Sequence, residues 1–445
     1  MDIVIIVLQF FLSLSILVIL HEFGHFLPAR LFKTKVEKFY LFFDPWFSIF
    51  KKKIGDTEYG IGWIPLGGYV KISGMIDESM DVEQMKGEPQ PWEFRSKPTW
   101  QRLIIMLGGV IVNFLLGFFL FAVMLAVWGE EYLPNASVKY GIYTDSIARE
   151  IGLQDGDKVL RIGDQPFEKF DSRQLLRAIV IDGVKTISVD RNGEEIDVNI
   201  DDKYVTELSS FKNKGAFLFG PRMPLVIKDV SSKSGAEAAG LMAGDRILKI
   251  DGKDAQYFDQ FGRFFKPSPN AAHDVMVLRG MDTVTTNVLS DSKGIMGIQW
   301  QPTDYFFEIK RQEYSFLAAL PKGVSKGYNF LADQIKAFGK MFSGQIKASD
   351  SLGGFATIAQ LFPNTWNWES FWHITAILSL ILGFMNLLPI PALDGGHVLF
   401  LLYEMVSGRK PSDKFMEITT LIGFVLIIGL VLYANGLDVW RWFSK

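Results

Sequence analysis

The strongest constraint on this chain is the placement of its apolar runs, which sit near both ends of the 445 residues and leave a polar stretch between them. Ile3 to Leu20 reads IVIIVLQFFLSLSILVIL with no charge inside, and Leu103 to Val127 has Asn113 as its only strongly polar side chain. Two shorter runs cover roughly 374–390 and 418–434. A membrane-crossing helix needs about 20 predominantly apolar residues, so four spans are expected. A cleaved signal peptide is the rival reading of the first run. It fails because only Met1 and Asp2 precede the run and no small-residue cleavage site follows. Basic residues set the orientation. Arg30, Lys33, Lys35, Lys38, Lys51 to Lys53, Arg95, Lys97 and Arg102 lie between the first two spans, and Arg409, Lys410 and Lys414 between the last two. Both connections are therefore expected in the cytoplasm, and both termini and the long middle segment outside it. In a bacterium this describes the cytoplasmic (inner) membrane.

The middle segment repeats itself. Gly152-Leu153-Gln154-Asp155-Gly156-Asp157-Lys158-Val159-Leu160-Arg161-Ile162 recurs 88 residues later as Gly240-Leu241-Met242-Ala243-Gly244-Asp245-Arg246-Ile247-Leu248-Lys249-Ile250. Glycine and aspartate make a tight turn, and the alternating apolar residues a half-buried strand. Two copies at domain-sized spacing predict two β-rich domains. Their pattern resembles PDZ domains of the bacterial protease-associated kind, which bind an extended peptide along a sheet edge. Spacer domains without a ligand are the plainer alternative. Farther on, Val324, Tyr328, Leu331, Ile335, Phe338 and Phe342 fall at helical spacing, an amphipathic pattern that fits either the membrane surface or the spans.

The first span runs into His21-Glu22-Phe23-Gly24-His25. Residues four apart share a helix face, so both imidazoles can reach one ion, and Glu22 beside them can take a proton from metal-bound water. Such polar residues are costly in a lipid-length helix unless partnered. A third ligand is usual. The candidate is Asp394, in Asn386-Leu387-Leu388-Pro389-Ile390-Pro391-Ala392-Leu393-Asp394-Gly395-Gly396-His397, where the prolines break the third span near its cytoplasmic end. His397 competes for that role. His373 is expected at the membrane interface and His273 in solvent. A net charge of -3 gives no sign of nucleic-acid binding, and the absence of cysteine removes thiolate ligands and thiol nucleophiles.

HEFGH paired with NLLPIPALDGGH resembles the site-two protease family of intramembrane metalloproteases, and the tandem repeats are similar to its regulator of sigma-E branch. The likeness covers essentially the whole chain. It implies Zn2+ held by His21, His25 and Asp394 with Glu22 as general base, and regulated intramembrane proteolysis in a stress response. Implied partners are single-span membrane proteins, anti-sigma factors or signal-peptide remnants, with membrane lipid around the chain and peptide carboxyl termini at the PDZ-like domains. Gly62 to Lys71 (GWIPLGGYVK) resembles the family stretch that dips into the membrane as a β element, and Leu352-Gly353-Gly354 its L-G-G. Two departures stand out: Gly108-Gly109 where Gly-Pro is frequent, and Phe355 where proline is frequent.

The expected organisation is thus a polytopic α-helical membrane protein with four spans, a membrane-associated β element and two extracytoplasmic PDZ-like α+β domains. Residues 1–29 hold the first span, 30–102 the cytoplasmic, membrane-dipping β segment, and 103–127 the second span. The PDZ-like domains take 128–219 and 220–302, and an amphipathic juxtamembrane region 303–371. The third span takes 372–397, a cytoplasmic loop 398–416, and the fourth span with its tail 417–445. Tyr59 to Ile72 is expected to pair with an unwound substrate as an added strand, with Gly67, Gly68 and Tyr69 touching it and Asn386 holding its backbone. A non-catalytic PDZ-bearing receptor or tether is the alternative function, and it leaves HEFGH without a purpose.

Overall fold

The computed structural model describes residues 2–75, 87–210, 213 and 217–443. Residues 76–86 of the expected 30–102 segment, 211–212 and 214–216 of the first repeat domain, and the last two residues of the chain lie outside the described residues. The chain divides into two compact units.

The first unit comprises the chain up to Gly129, Glu313–Ile335 and Leu352–Lys445. Four of its helices are long and apolar enough to cross a membrane: Ile3–Leu31, Thr99–Val127, Trp368–Leu387 and Lys414–Phe443. Helix α1 (Asp2–Leu31) runs on through HEFGH and Pro28 rather than ending there. At 1.5 Å per residue it is about 45 Å long, so the histidines sit well inside it. Pro28 has no N–H to give the Gly24 carbonyl, and that oxygen lies against Gly108 of α2 (Thr99–Val127).

Between these helices stand β1 (Val36–Phe43), β2 (Phe50–Ile54), β3 (Thr57–Ile61) and β4 (Ile64–Ile72), in the order β2-β3-β1-β4. β1 runs parallel to β3 and antiparallel to β4, with Phe39 opposite Val70, Tyr40 opposite Tyr69 and Leu41 opposite Gly68. β4 is therefore an edge strand and β3 is interior. Ala29, Val36, Ile72, Ile105 and Met106 form the small core that fixes the sheet to α1 and α2.

Helix α3 (Phe316–Phe342) contains the expected amphipathic stripe but makes its closest approach with a different face. Its buried residues are Ala319, Gly323 and Gly327, and a Cβ on Gly323 would fall 2.5 Å from the Ala122 nitrogen of α2. Val324, Tyr328 and Ile335 stay exposed. Small residues admit the close helix approach, and Leu331 of the stripe packs with Phe330 against the cluster of Leu120, Phe121 and Leu380.

The third span begins earlier than the apolar run at 374–390 and ends before its prolines. Helix α4 (Trp368–Leu387) stops because Leu388, which precedes Pro389, takes the extended conformation a pre-proline residue favours. Ala392 has φ 81°, and a new helix, α5 (Asp394–Ser407), opens at Asp394. Much of the segment expected as a loop, 398–416, is therefore helical, up to Gly408 in the left-handed conformation that ends α5. Helix α6 (Asp413–Phe443) follows.

The second unit, Glu130–Gln312 with Lys336–Ser351, holds the two repeats, and they share one fold. In the first, the sheet runs Glu194–Asn199, Thr186–Arg191, Lys158–Ile162, Gln165–Pro166. In the second it holds Lys253–Asp254, Arg246–Ile250, Ala272–Arg279 and Asp282–Leu289 in the matching order. The shared motif has a structural reason. Asp157 accepts from the Gln154 N–H and pairs with Arg191, which also donates to the Gly152 carbonyl. Asp245, Met242, Arg279 and Gly240 repeat these bonds. Both aspartates are buried and fully engaged, so the turn is a device for folding.

Candidate metal centre

Helical spacing puts His21 and His25 on one face of α1, their rings 4.9 Å apart and nearly perpendicular. Asp394 reaches them from the first residue of α5, where the proline break turns the chain back. Its Oδ2 lies 3.5 Å from His21 Nε2 and 3.3 Å from His25 Nε2. One ligand atom from each residue lies within 4.8 Å of the others. Asp394 Oδ2 is buried without a hydrogen-bond partner among the described residues. Two imidazole nitrogens and a carboxylate oxygen so arranged fit a single divalent ion of the zinc type.

The partners of the rings prepare them for this. His25 Nδ1 lies 2.8 Å from the Ile105 carbonyl, which can only accept, so the proton sits on Nδ1 and the lone pair on Nε2. His21 Nδ1 lies 3.0 Å from the Asn113 amide, and Asn386 Nδ2 3.2 Å from His21 Nε2. The crossing of α1 and α2 depends on glycine. A Cβ on Gly24 would fall 2.4 Å from the Gly108 oxygen, and one on Gly109 2.3 Å from His25 Nε2. The departure from Gly-Pro at 108–109 is thus the point where α2 backs directly onto the imidazoles.

A cavity of about 510 Å³ opens on this centre. His21, Glu22, His25, Asp394, Asn386 and His397 line it, with Gly68 and Tyr69 of β4 and Thr420 and Phe424 of α6. A Cβ on Gly68 would fall 2.6 Å from Val18 and 3.4 Å from Glu22 Cγ, so glycine lets the edge strand approach the HEFGH helix. Tyr69 donates to Asp44 and stacks on Tyr40 and Phe43. Burial and the Asp44 carboxylate push its phenol up, so it stays a donor. Gly67 faces the Phe43 ring and does not line the cavity. The stretch expected as a docking edge narrows to β4, because β3 is paired on both sides.

His397 lines the cavity but is not in the three-ligand group. His373 packs against Phe121. His273 is buried rather than solvated, hydrogen-bonded to Asp251 and against Phe265. In the sequence Asn113 stands only as a polar interruption of a span. Its signal was a lone carboxamide in an otherwise apolar helix, a residue that lipid does not tolerate unpaired.

The chain is similar over nearly its whole length to curated bacterial proteins. It is 31% identical to a Vibrio cholerae protein named "Putative zinc metalloprotease", with 98% of each chain covered. It is 30% identical to a Neisseria meningitidis protein of the same description, also with 98% of each covered. With the regulator of sigma-E protease RseP of Escherichia coli it shares 29% identity over 98% of each. The profile of Peptidase family M50 matches residues 9–430, and the chain belongs to that family.

Proposed function

We propose that this membrane metallopeptidase holds Zn2+ with His21, His25 and Asp394 and cuts single-span membrane proteins within or beside the bilayer. The observation that carries the reading is the meeting of three suitable donor atoms in a cavity walled on one side by an edge strand. Bound zinc supplies Lewis acidity, polarising a carbonyl and acidifying water. Glu22, in the same cavity, accepts the proton that water loses and can deliver it to the departing amine. A helical substrate hides its peptide bonds, so it must unwind. The outer edge of β4 offers backbone groups for the unwound segment to pair with as an added strand. Asn386 holds the substrate backbone beside the metal.

The two repeats serve as PDZ-like domains outside the cytoplasm, with both termini on the same side, as the basic connections imply. Trimmed anti-sigma factors and signal-peptide remnants are the substrate class, and the E. coli relative's name, a regulator of sigma-E, is in keeping with the first of these. The test is made on purified full-length protein. Glu22→Gln should retain one zinc per chain and lose cleavage of a single-span substrate, while His21→Ala, His25→Ala and Asp394→Ala should lose the metal. Full zinc occupancy in Asp394→Ala would move the third ligand elsewhere, with His397 next in line.

A further inference from the structure

His21 meets a side-chain amide at each ring nitrogen: Asn113 at Nδ1, 3.0 Å away, and Asn386 at Nε2, 3.2 Å away. A neutral imidazole has one donor and one acceptor nitrogen, so it cannot accept from both amides. Asn113 is fully buried, and its Oδ1 has no hydrogen-bond partner among the described residues. The two ends of a carboxamide are told apart by their partners, and the conflict at the ring is removed when the amide turns half-way round, Nδ2 taking the place of Oδ1. Oδ1 then faces Nδ1 and the ring becomes the donor.

We propose that Asn113 is a positioning residue for the metal site, accepting a hydrogen bond from His21 Nδ1–H and so keeping the Nε2 lone pair aimed at the place Asp394 also faces. The inference rests on His21 being a metal ligand. His25 shows the same arrangement with a backbone partner, its Nδ1 held by the Ile105 carbonyl. Both acceptors belong to α2, about two helical turns apart. One helix thus supplies the outer partner of each histidine on its neighbour, which is how ligating imidazoles are commonly fixed in tautomer and direction. Asn113 is itself held, because Ser379 of α4 donates to its backbone carbonyl at 2.7 Å. Binding at Nε2 also ends the Asn386 contact there, which leaves that amide for substrate. The rival partner for the His21 ring is the Gly109 carbonyl, one turn earlier on α2.

The test measures zinc affinity of the full-length protein by competition with a chromophoric chelator, independently of turnover. Asn113→Leu removes the acceptor and Asn113→Ser, one bond shorter, draws its hydroxyl out of reach of Nδ1, so both should weaken zinc binding about 10- to 100-fold. Asn113→Asp keeps an acceptor for the same N–H and should bind within about threefold of the parent, or more tightly. Serine is small enough for the helix junction and carries the test should leucine prevent folding. Parental affinity in the Leu and Ser variants would assign the role to the Gly109 carbonyl and overturn the proposal. So would an Asp variant as weak as the Ser one, which would make Asn113 a packing residue. A His21→Ala variant that keeps its zinc would instead sink the ligand assignment itself, so the two failures are distinct.

Discussion

Gly109 offers the sharpest test of how the site is built. A Cβ there would sit 2.3 Å from His25 Nε2 and 2.6 Å from His21 Cε1, about 1 Å inside ordinary contact. Nothing flexible can yield, since the obstructed atoms are two rings already tied to α2 by their Nδ1 contacts. Gly109→Ala must therefore push the imidazoles aside or spread α1 from α2. The packing penalty should be about 1–3 kcal/mol, which leaves the protein folded. Displacing ligands by about 1 Å is more serious, since a shift of that size can cost about 100-fold in rate. The assay compares chelator-competed zinc affinity, turnover of a single-span substrate and melting temperature. Gly117→Ala is the control on the same helix, because its Cβ would crowd Leu380 (Cδ2 at 2.5 Å, Cγ at 2.6 Å) and the Ala376 carbonyl oxygen (3.2 Å) of α4 to a similar depth without meeting a metal ligand. The expected result is loss of zinc affinity and turnover in Gly109→Ala, with near-parental turnover in the control. Parental zinc binding and turnover in Gly109→Ala would refute the argument that this glycine is required by the metal centre.

Three further outcomes are expected. Proline at a β4 position whose N–H points away from β1 should cut turnover and leave zinc content intact, because proline removes a donor from the edge a substrate would pair with. Substrate crosslinks confined to the repeat unit would count against that docking. Burial works to raise the Asp155 carboxyl, but Arg263 and Thr144 hold it down to about 2. A depressed carboxylate stabilises above its ordinary value near 4 and loses that contribution as pH falls through 2. The contact joining the two repeats should thus loosen between pH 4 and 2, by no more than about 1 kcal/mol after solvent screening. Rate-corrected hydrogen exchange in residues 142–157 reads this change, and unaltered protection in Arg263→Ala at pH 5 would refute it. Finally, if the repeat unit excludes substrates with bulky outer parts, deleting Tyr140 to Trp300 should increase cutting of untrimmed substrates. If it captures carboxyl termini, the same deletion should decrease cutting of trimmed ones. Exclusion is expected, because both repeats lie in one inter-span connection.

The parts of this protein that could be read from sequence are those governed by local periodicity. HEFGH is legible because a four-residue step on a helix fixes which side chains share a face. The proline break is legible because it needs only its own neighbours. The repeat shows itself at an offset of 88 residues, and the arginines that grip its turn, Arg191 and Arg279, obey the same offset. They could have been found by extending the comparison past the first strand. What escaped were close approaches between distant segments. Gly108-Gly109 departs from a family pattern in the sequence, and its reason lies in α1, which packs directly on it. In α3 the large apolar residues carry the visible periodicity, whereas the closest approach to α2 uses the small ones. His273 acquires its partner from Asp251, 22 residues away across a sheet.

The polar residues buried among the spanning helices explain how a metal centre can be held accurately in such surroundings. Ser13 of α1 meets Thr375 of α4, Ser379 of α4 reaches the Asn113 carbonyl of α2, and Asn113 meets His21 of α1. Gln9 of α1 donates to the Pro363 carbonyl. Each such bond between membrane helices contributes only about 0.6–2 kcal/mol, too little to account for assembly alone. Their value is directional. Apolar packing lets helices slide or rotate with little penalty, but a buried hydroxyl or amide that loses its partner costs about 1–3 kcal/mol. The series Ser13–Thr375, Ser379–Asn113, Asn113–His21 therefore sets the height and rotation of three helices against one another. It ends on a ligand. The ring that must point within a few tenths of an ångström is thus the last member of a hydrogen-bonded series fixed to rigid helices, the arrangement a preorganised site requires.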